Sequence, residues 1–482
     1  MLVNPAQSFQ ASAERNAKTV ALRADGLEWS FSELADRAAR LAATLHECGV
    51  GRSDLVVSRF VSPASELIAF FALMHLGAVH CSIAHLGGAD IEVAPVAVVG
   101  DDETLPALRK ALPQSRAIHI DAIPSDGSDR PEFALVSPKE VSQLILTSGT
   151  TGRAKMVQLT YGAIDARSTI RSSYFPTQNG VLLLMGPMTA GGCQTVLSTL
   201  LAGYTLDLSR QTQGLADAIV SSDIGYIIAS PVQLSGLLSI IGLPRKAQIN
   251  MCGILLMGGA ASSNLIEAAS AAFDCAITVM YGTSEVGACA IVILDASRSA
   301  DTAHLKPLSG VKIEVADDTG TPLAMGTSGK IRIATPGMAA GYFNDPVQTR
   351  TQFRDGWFYP GDLGRLDDDG LFLSGREDEV INLGGIKLDP AEIDRMIEAS
   401  GLAFEAAAFR FVDGVGVERL MVASVTDGQD QFDRLRVIVT EHVGGRVPMG
   451  HFRVDRIPRN EMGKPLRQTL AAMLKHQLLK KN

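Results

Sequence analysis

The chain has 482 residues, of which 46% are hydrophobic and 20% are charged. This length exceeds what one hydrophobic core usually organises, so two or more domains are expected, and the composition argues against a disordered protein. The 43 Lys and Arg residues against 52 Asp and Glu residues give a net charge of −9, which disfavours a nucleic-acid-binding protein.

The cysteines and the N-terminus indicate a location. Six cysteines are scattered without a CxxC pair, a pattern that disfavours a zinc site and a disulfide framework and is typical of a reducing compartment. The N-terminus has no basic segment followed by an apolar stretch, so no secretory signal is predicted. The apolar run at residues 67–74 is far shorter than the roughly 18 residues that a membrane span needs. We therefore expect a cytoplasmic protein without a membrane span.

Helical and strand-like segments alternate through most of the chain. Ser30 and Glu33 form a predicted capping box for a helix that ends at Gly49. A second helix is predicted from Pro63 to Gly77. Strands, each bounded by turn residues, are predicted at residues 55–60, 96–99, 143–147, 225–229 and 253–257. Such alternation predicts parallel sheets covered by helices.

The pattern changes after about residue 310. Short strands separated by Gly- and Asp-rich turns are predicted at residues 312–315, 330–334 and 371–374. The final 100 or so residues have their own strand and helix pattern, enough for a small domain. We therefore predict an α/β fold. A large domain at residues 1–376 contains helix-covered sheets and a small barrel-like β part, and residues 377–482 form a small α+β domain.

The most informative segment is TSGTTGRAK at residues 147–155, which follows an apolar strand. Its glycines allow a tight turn that points N–H groups at an anion, its hydroxyls add donors, and Lys155 adds positive charge. The spacing differs from a Walker A loop, which disfavours a P-loop NTPase. A plain hairpin tip is the alternative, but six consecutive small or hydroxyl residues followed by a lysine favour a phosphate-binding loop.

With this loop, the chain resembles the adenylate-forming superfamily, which includes acyl-CoA synthetases, aryl acid ligases, peptide-synthetase adenylation domains and luciferases. The other motifs of that superfamily follow in its order, so the resemblance covers essentially the whole chain. They are YGTSE at 281–285, GWFYPGD at 356–362, GRED at 375–378, GGIKLDPAE at 384–392 and RNEMGK at 459–464. One such motif is weak, whereas an ordered series is specific.

The resemblance implies a role for each motif residue in binding ATP and Mg²⁺. Glu285 would be the carboxylate on Mg²⁺, which prefers oxygen ligands, and its alternative is a solvated loop glutamate. Ser284 would donate to phosphate oxygens, and Asp362 would accept from the ribose hydroxyls with Arg376 nearby. The nucleotide-binding residues implied in this way are Thr147, Ser148, Gly149, Thr150, Thr151, Gly152, Lys155, Gly259, Ala260, Tyr281, Gly282, Thr283, Asp362 and Arg376.

Two residues near the C-terminus carry further implied roles. Lys464 would bridge the substrate carboxylate and the α-phosphate, since a lysine is a point charge on a long stem. Its alternative is a surface lysine beside a glycine turn. The resemblance implies that the small domain is mobile and rotates after adenylate formation. Asp378 would then be the hinge, with an ordinary turn aspartate as the alternative.

The segment PMTAGG at residues 187–192 resembles a stretch that borders the acyl pocket in the adenylate-forming superfamily. Thr189, Ala190 and Gly191 are therefore predicted to line the pocket, and the resemblance implies Gly258 as a further pocket residue. Ala190 stands where a histidine is frequent, which predicts a roomier or more apolar wall unless a neighbour fills the space. No aspartate occurs between residues 181 and 206 to pair with a substrate ammonium group, so α-amino acids are disfavoured. The link between residues 83 and 96 is shorter than the family commonly has.

These observations predict an ATP-dependent acid–thiol ligase. It would convert a small carboxylic acid to an acyl-adenylate and transfer the acyl group to coenzyme A or to the phosphopantetheine of a carrier protein. Two alternatives are an adenylating enzyme that passes the acyl group to an amine, and a catalytically silent homologue. The joint presence of Lys464, Glu285 and Asp362 disfavours the silent homologue.

Overall fold

A computed structural model defines the fold. It describes residues 3–24, 26–83, 93–122, 131–147, 155–175, 178–221, 223–241, 251–259, 261–294, 303–377, 379, 381–383, 386–401, 405–412, 418–425, 429–442, 449–459 and 464–479. The helices are α1 (Pro5–Arg15), α2 (Phe31–Glu47), α3 (Pro63–Leu76), α4 (Leu105–Ala111), α5 (Tyr161–Tyr174), α6 (Ala190–Leu201), α7 (Thr212–Val220), α8 (Pro231–Ile241), α9 (Ser263–Phe273), α10 (Pro346–Gln352), α11 (Pro390–Ser400), α12 (Gln429–His442) and α13 (Arg467–Leu479).

The strands alternate with these helices as far as residue 294 and then become short. They are β1 (Val20–Ala24), β2 (Leu27–Ser30), β3 (Leu55–Arg59), β4 (Val79–Ser82), β5 (Ala97–Gly100), β6 (Arg116–His119), β7 (Val141–Thr147), β8 (Lys155–Thr160), β9 (Gly180–Leu183), β10 (Leu206–Asp207), β11 (Ile224–Ala229), β12 (Gly253–Met257), β13 (Ala276–Thr283), β14 (Gly287–Leu294), β15 (Lys306–Pro307), β16 (Lys312–Ala316), β17 (Gly329–Ala334), β18 (Phe353–Arg354), β19 (Trp357–Phe358), β20 (Asp362–Asp367), β21 (Gly370–Arg376), β22 (Ile381–Leu383), β23 (Ile386–Leu388), β24 (Glu405–Val412), β25 (Glu418–Val425) and β26 (Met449–Arg453).

The chain divides into two compact units. The first comprises Met1–Ala300, Lys306–Lys312 and Ile333–Phe358, and the second comprises Asp301–Leu305, Ile313–Arg332 and Tyr359–Asn482. The division therefore falls within β17 and again just before β20. The short strands around residues 313–332 belong to the same unit as the C-terminal part of the chain. The predicted division into domains at residues 1–376 and 377–482 stays a prediction.

The first unit contains two large sheets. One has the strand order β6-β5-β3-β4-β7-β8 and is parallel except for β8. The other has the order β15-β14-β13-β12-β11-β9-β10-β1-β2 and is parallel from β13 to β1. Strands β5, β9 and β12 are buried throughout. Burial on both faces is why these parallel strands read as continuous apolar runs in the sequence.

The second unit contains smaller sheets. The predicted short strands are present as β16, β17 and β21, and β20 pairs antiparallel with β21. Strands β24, β25 and β26 form a mixed sheet with apolar clusters on both of its faces. Ile393 of α11 and Leu435 of α12 belong to one cluster, whereas Phe409 of β24 and Leu470 of α13 belong to the other. The α/β fold class is confirmed.

Local signals predicted the first elements well. The capping box at the start of α2 is confirmed, because the Ser30 hydroxyl accepts from the Glu33 N–H at 3.3 Å and the Glu33 carboxylate accepts from the Ser30 N–H at 2.8 Å. Gly49 follows the helix with a φ of +84°. The predicted strand at 96–99 lies one residue later, at Ala97–Gly100, because its parallel pairing with β3 begins at Val56 and Ala97. The shortened link before it falls largely on residues 84–92, outside the described residues.

Candidate functional site

Three segments that were predicted to contact substrate or nucleotide leave the same edge of the nine-stranded sheet. They follow the carboxyl ends of β9, β12 and β13, which are parallel and lie near one another in the strand order. Ligands of open α/β sheets bind at such an edge. A Cβ atom on Gly191 would lie 2.4 Å from the sulfur of Met257, so the segment after β9 packs directly against the end of β12. The structure thus brings the predicted pocket residues Gly191 and Gly258 close together.

Thr189 has a structural task at this edge. Its hydroxyl accepts from the Gly192 N–H at 3.1 Å and donates to the Gly186 carbonyl at 2.8 Å, so it caps the N-terminus of α6. Ala190 is the first residue of that helix and is half-buried. A threonine before a predicted helix is a capping signal, and this role of Thr189 could have been predicted from the sequence. Its place in the acyl pocket, and that of Ala190, stay predictions.

Glu285 lies in a tight turn between β13 and β14. Thr283 pairs with Gly287, and the three residues between them form the turn. Gly287 has a φ of +74°, which favours glycine. A Cβ atom on Gly282 would lie 2.1 Å from the Gly287 carbonyl oxygen, so no other residue fits there. The glycines allow this hairpin to present Ser284 and Glu285 at its tip.

The side chain and the backbone of Glu285 are both held by a distant segment. The Ala339 N–H donates to the Glu285 carbonyl at 2.7 Å. The Tyr342 hydroxyl lies 2.7 Å from Oε1 of the Glu285 carboxylate and also contacts the side-chain oxygen of Gln352. A phenol has one hydrogen, so it can donate to only one of these, and the carboxylate is the stronger acceptor. Glu285 is therefore held in one orientation.

Tyr342 also connects this turn to the predicted phosphate-binding loop. Nζ of Lys155 lies 5.1 Å from the centroid of the Tyr342 ring, within the range of a cation–π contact. Nothing in the sequence pointed to Tyr342, because it lies 57 residues from Glu285 and no spacing rule relates the two. The tyrosine follows Gly341 in a glycine- and alanine-rich stretch, which by itself predicts only a turn.

The ends of the predicted phosphate-binding loop form an antiparallel hairpin. Thr147 pairs with Lys155 at the ends of β7 and β8, and the Thr147 hydroxyl lies 3.4 Å from the Lys155 carbonyl. The hairpin interpretation therefore holds for the flanking strands, and it is compatible with an anion-binding tip. The tip residues Ser148, Gly149, Thr150, Thr151 and Gly152 lie outside the described residues.

In the second unit, the structure brings Asp362 and Arg376 together. They are paired residues on β20 and β21. Nη1 of Arg376 donates to Oδ1 of Asp362 at 3.2 Å, and Nη2 donates to the Pro360 carbonyl at 3.2 Å. Asp362 is buried, and the contact with Arg376 holds its carboxyl group in place. The oxygens of a carboxyl group can accept hydrogen bonds from a hydroxyl-bearing ligand such as a ribose.

Lys464 is exposed and lies in the short segment between β26 and α13. The adjacent Pro465 forms an isolated bridge with Arg459. The predicted hinge residue Asp378, the predicted adenine contact Ala260 and the glycines Gly384 and Gly385 lie outside the described residues. Among the residues that the structure does describe, no helix is long and apolar enough to cross a membrane.

Comparison with known proteins gives a consistent result. A family model described as AMP-binding enzyme matches residues 9–343. The chain is 28% identical to the fatty acid–[acyl-carrier-protein] ligase ScoC of Streptomyces coeruleorubidus, with 76% of this chain and 73% of that protein covered. It is 26% identical to a 4-chlorobenzoate–CoA ligase of Arthrobacter sp, with 96% and 94% covered.

A solved structure matches over almost the full length. The o-succinylbenzoate CoA synthetase from Bacillus subtilis, in complex with the acyl-adenylate intermediate, has a TM-score of 0.84 to this chain. The two chains are 22% identical, and the superposition covers 96% of this chain and 97% of that one. At this level of identity the likeness establishes the fold.

Proposed function

This chain belongs to the AMP-binding enzyme family, and on that basis we propose that it is an ATP-dependent acid–thiol ligase. The observation that carries the proposal is the fixed Glu285 carboxylate at the tip of a glycine-built hairpin, at the carboxyl edge of a parallel sheet. The Asp362–Arg376 pair supports it from the second unit. A silent homologue would have no need of these groups together.

The proposed reaction has two steps. A carboxylate oxygen of the acid attacks the α-phosphorus of ATP, the bond to the β-phosphate oxygen breaks, and acyl-adenylate and pyrophosphate form. A thiol sulfur then attacks the acyl carbon, loses its proton and displaces AMP. The first step brings two anionic groups together, so positive charge must offset their repulsion. Mg²⁺ that arrives with ATP would supply part of that charge, and the Glu285 carboxylate would help to hold it, since Mg²⁺ prefers oxygen ligands.

Each predicted residue has a place in this scheme. Ser284, Lys155 and the loop at 147–152 would bind phosphate oxygens, and Asp362 would accept from the ribose hydroxyls. The turn at 258–260 and Tyr281 would flank the adenine. Lys464 would bridge the acid and the α-phosphate during adenylation. It would lie on a small C-terminal domain of residues 377–482 that pivots at Asp378.

The substrate proposal is a carboxylic acid without an α-amino group. The names of two relatives support it, since one is a fatty acid–acyl-carrier-protein ligase and the other a 4-chlorobenzoate–CoA ligase. Those two names also support both coenzyme A and a carrier protein as acceptor. Screening acids by ATP–pyrophosphate exchange, then testing each active acid with both thiols and with amines, identifies the pair. Exchange with proteinogenic amino acids alone would contradict the substrate proposal.

Lys464→Ala tests the mechanism. If the lysine stabilises charge only while the adenylate forms, its loss should slow exchange about 10²–10³-fold. Thiol transfer from a supplied acyl-adenylate should be much less affected, because that step does not involve attack on the phosphate. The two half-reactions are measured separately in one variant, together with ATP affinity.

A matched control is Lys475→Ala, which removes another exposed lysine, on α13. We expect it to leave both half-reactions unchanged. Equal loss of both half-reactions in Lys464→Ala would point to a general structural role. Normal exchange in that variant would identify Lys464 as a surface lysine and remove the proposed catalytic assignment.

A further inference from the structure

Helix α5 carries two buried arginines, Arg167 and Arg171, one turn apart. Each side chain belongs to a residue that is only 2% exposed. Arginine is rarely fully buried unless it is paired, because removing a charge from water is costly. Neither residue has a carboxylate as a hydrogen-bond partner among the contacts that the structure describes. Other groups must therefore satisfy the buried guanidinium of Arg167.

Arg167 joins the Glu285 turn to the segment that holds it. Its Nη2 donates to the Ser284 carbonyl at 3.0 Å, and its Nε donates to the Gly337 carbonyl at 2.8 Å. The guanidinium is planar and presents its donors in a fixed geometry, so one side chain sets the spacing of the two carbonyls. Ala339 and Tyr342, which contact Glu285 directly, follow Gly337 along the same segment.

The surrounding backbone leaves space for this side chain at two glycines. A Cβ atom on Gly337 would lie 2.8 Å from Cγ of Arg167. A Cβ atom on Gly287 would lie 3.1 Å from its Nε, and Gly287 also has a positive φ. Any larger residue at these positions would displace the arginine. The two glycines and Arg167 therefore pack together beneath the Glu285 turn.

The guanidinium remains charged in this environment. Burial lowers the pKa of Arg167 to about 10, and the nearby Glu285 carboxylate partly opposes that effect. The group is thus protonated at neutral pH. A positive charge held in a poorly solvated place beside Glu285 interacts with that carboxylate more strongly than it would in water.

We infer that Arg167 is a positioning residue, which fixes the Glu285 turn so that its carboxylate meets the metal ion of the bound metal–nucleotide complex. This inference rests on the proposed function in one respect, since it assumes that the metal arrives with ATP. Arg167 itself does not touch the nucleotide. It acts through the Ser284 and Gly337 carbonyls, and its effect is therefore on metal dependence more than on nucleotide affinity without metal.

The test compares Arg167→Met with Arg171→Met. The second variant removes an equally buried guanidinium from the same helix, where it contacts the ring of Phe175 and has no hydrogen bond to the Glu285 turn in the described structure. Three quantities are measured: the affinity of a fluorescent ATP analogue with and without Mg²⁺, the Mg²⁺ concentration for half-maximal pyrophosphate exchange, and the midpoint of thermal unfolding.

In Arg167→Met we expect two changes, each of about 10- to 100-fold, which is the scale of lost charge-assisted hydrogen bonds. The gain in nucleotide affinity on adding Mg²⁺ should fall, and the Mg²⁺ concentration for half-maximal exchange should rise. Affinity without Mg²⁺ should stay near that of the wild type. Arg171→Met should lower the unfolding midpoint but leave the Mg²⁺ dependence unchanged. Arg167→Lys should lie in between, because an ammonium keeps the charge but lacks the guanidinium fork.

The same Mg²⁺ dependence in both methionine variants and the wild type would overturn the inference. If Arg167→Met does not fold, Arg167→Lys is measured in its place. A Mg²⁺ dependence of Arg167→Lys equal to that of the wild type would then overturn the inference. The binding measurement separates the two proposals. A wild-type protein that binds the analogue with Mg²⁺ but exchanges no acid would contradict the ligase function. A weakened Mg²⁺ effect in Arg167→Met would then still support the role of Arg167.

Discussion

Two glutamates of the first unit show how surroundings decide what a carboxyl group can do. Glu285 is half-buried at the tip of the β13–β14 hairpin, where a tyrosine hydroxyl holds it. Glu66 lies within α3, is 4% exposed and contacts the hydroxyl of Ser82. Burial raises the pKa of Glu66 to about 7, against a partial opposing effect of the Ser82 hydrogen bond. The interior thus favours a protonated carboxyl group there.

The two residues are of the same type, so solvent access and nearby positive charge decide which of them can bind a cation. Glu285 is only half-buried, and the guanidinium of Arg167 binds the backbone of its turn, so the carboxylate is open to a cation. Glu66 has neither, so we expect it to serve packing and not catalysis. Such a separation of two carboxyl groups by environment is a recognised way to give them different roles.

The most severe test of the comparison is Glu285→Gln. Glutamine keeps the shape and an oxygen that Tyr342 can donate to, but it loses the charge. Pyrophosphate exchange should fall about 10²–10³-fold, the loss typical of a fixed electrostatic group, while the unfolding midpoint stays close to that of the wild type. Near-normal exchange at ordinary Mg²⁺ concentrations would remove Glu285 from the proposed metal site.

Glu66→Gln tests whether burial favours the protonated form of Glu66. The folded-state pKa of about 7 lies above the ordinary 4.5, so the folded protein binds the proton more tightly than the unfolded chain. Wild-type stability therefore decreases as pH rises from about 4.5 to about 7, by up to roughly 3 kcal/mol. Glutamine does not titrate. The variant should gain stability relative to wild type across this window, as measured by urea unfolding at pH 5 and pH 8, with exchange activity retained.

His80 titrates over an overlapping pH range, and its effect on the stability of the fold has the opposite sign. Burial lowers the pKa of His80 to about 4, which increases stability as pH rises. His80 is present in both proteins, so it cancels when the variant is compared with the wild type. A difference in stability between Glu66→Gln and the wild type that does not change with pH would contradict the raised pKa of Glu66. Lost exchange with intact folding would contradict its separation from catalysis.

Tyr342→Phe has the smallest expected effect and tests whether the Tyr342 hydroxyl orients Glu285. It removes the hydroxyl that contacts Glu285 and keeps the ring that Lys155 lies over. We expect a loss of about tenfold in exchange at limiting Mg²⁺, which is the scale of one hydrogen bond to a charged group, and recovery at high Mg²⁺. Tyr226→Phe on β11, whose ring packs on Phe175, is the control. A loss that high Mg²⁺ does not relieve would argue against orientation of Glu285.

The features that could be predicted from the sequence are those that depend on neighbours along the chain. The capping box at Ser30 and Glu33, the left-handed Gly77 after α3 and the buried strands all follow from contacts over a few residues or from simple periodicity. The ordered motifs identified the family, because a motif is a local pattern as well. Gly282 was part of such a pattern, although the reason for it, the close approach to the Gly287 carbonyl within the hairpin, is visible only in the structure.

The contacts that hold Glu285 could not be predicted from the sequence, because they come from distant segments of the folded chain. Tyr342 lies 57 residues away, and Arg167 reaches the turn across 117 residues. No motif or spacing in the sequence singled out Arg167, yet it is buried beside the Glu285 turn. Pattern rules report which residues prefer the interior, but they do not report which distant backbone carbonyls a buried charge will meet. That depends on how α5, β13 and the segment after β17 pack, and packing is a property of the whole first unit.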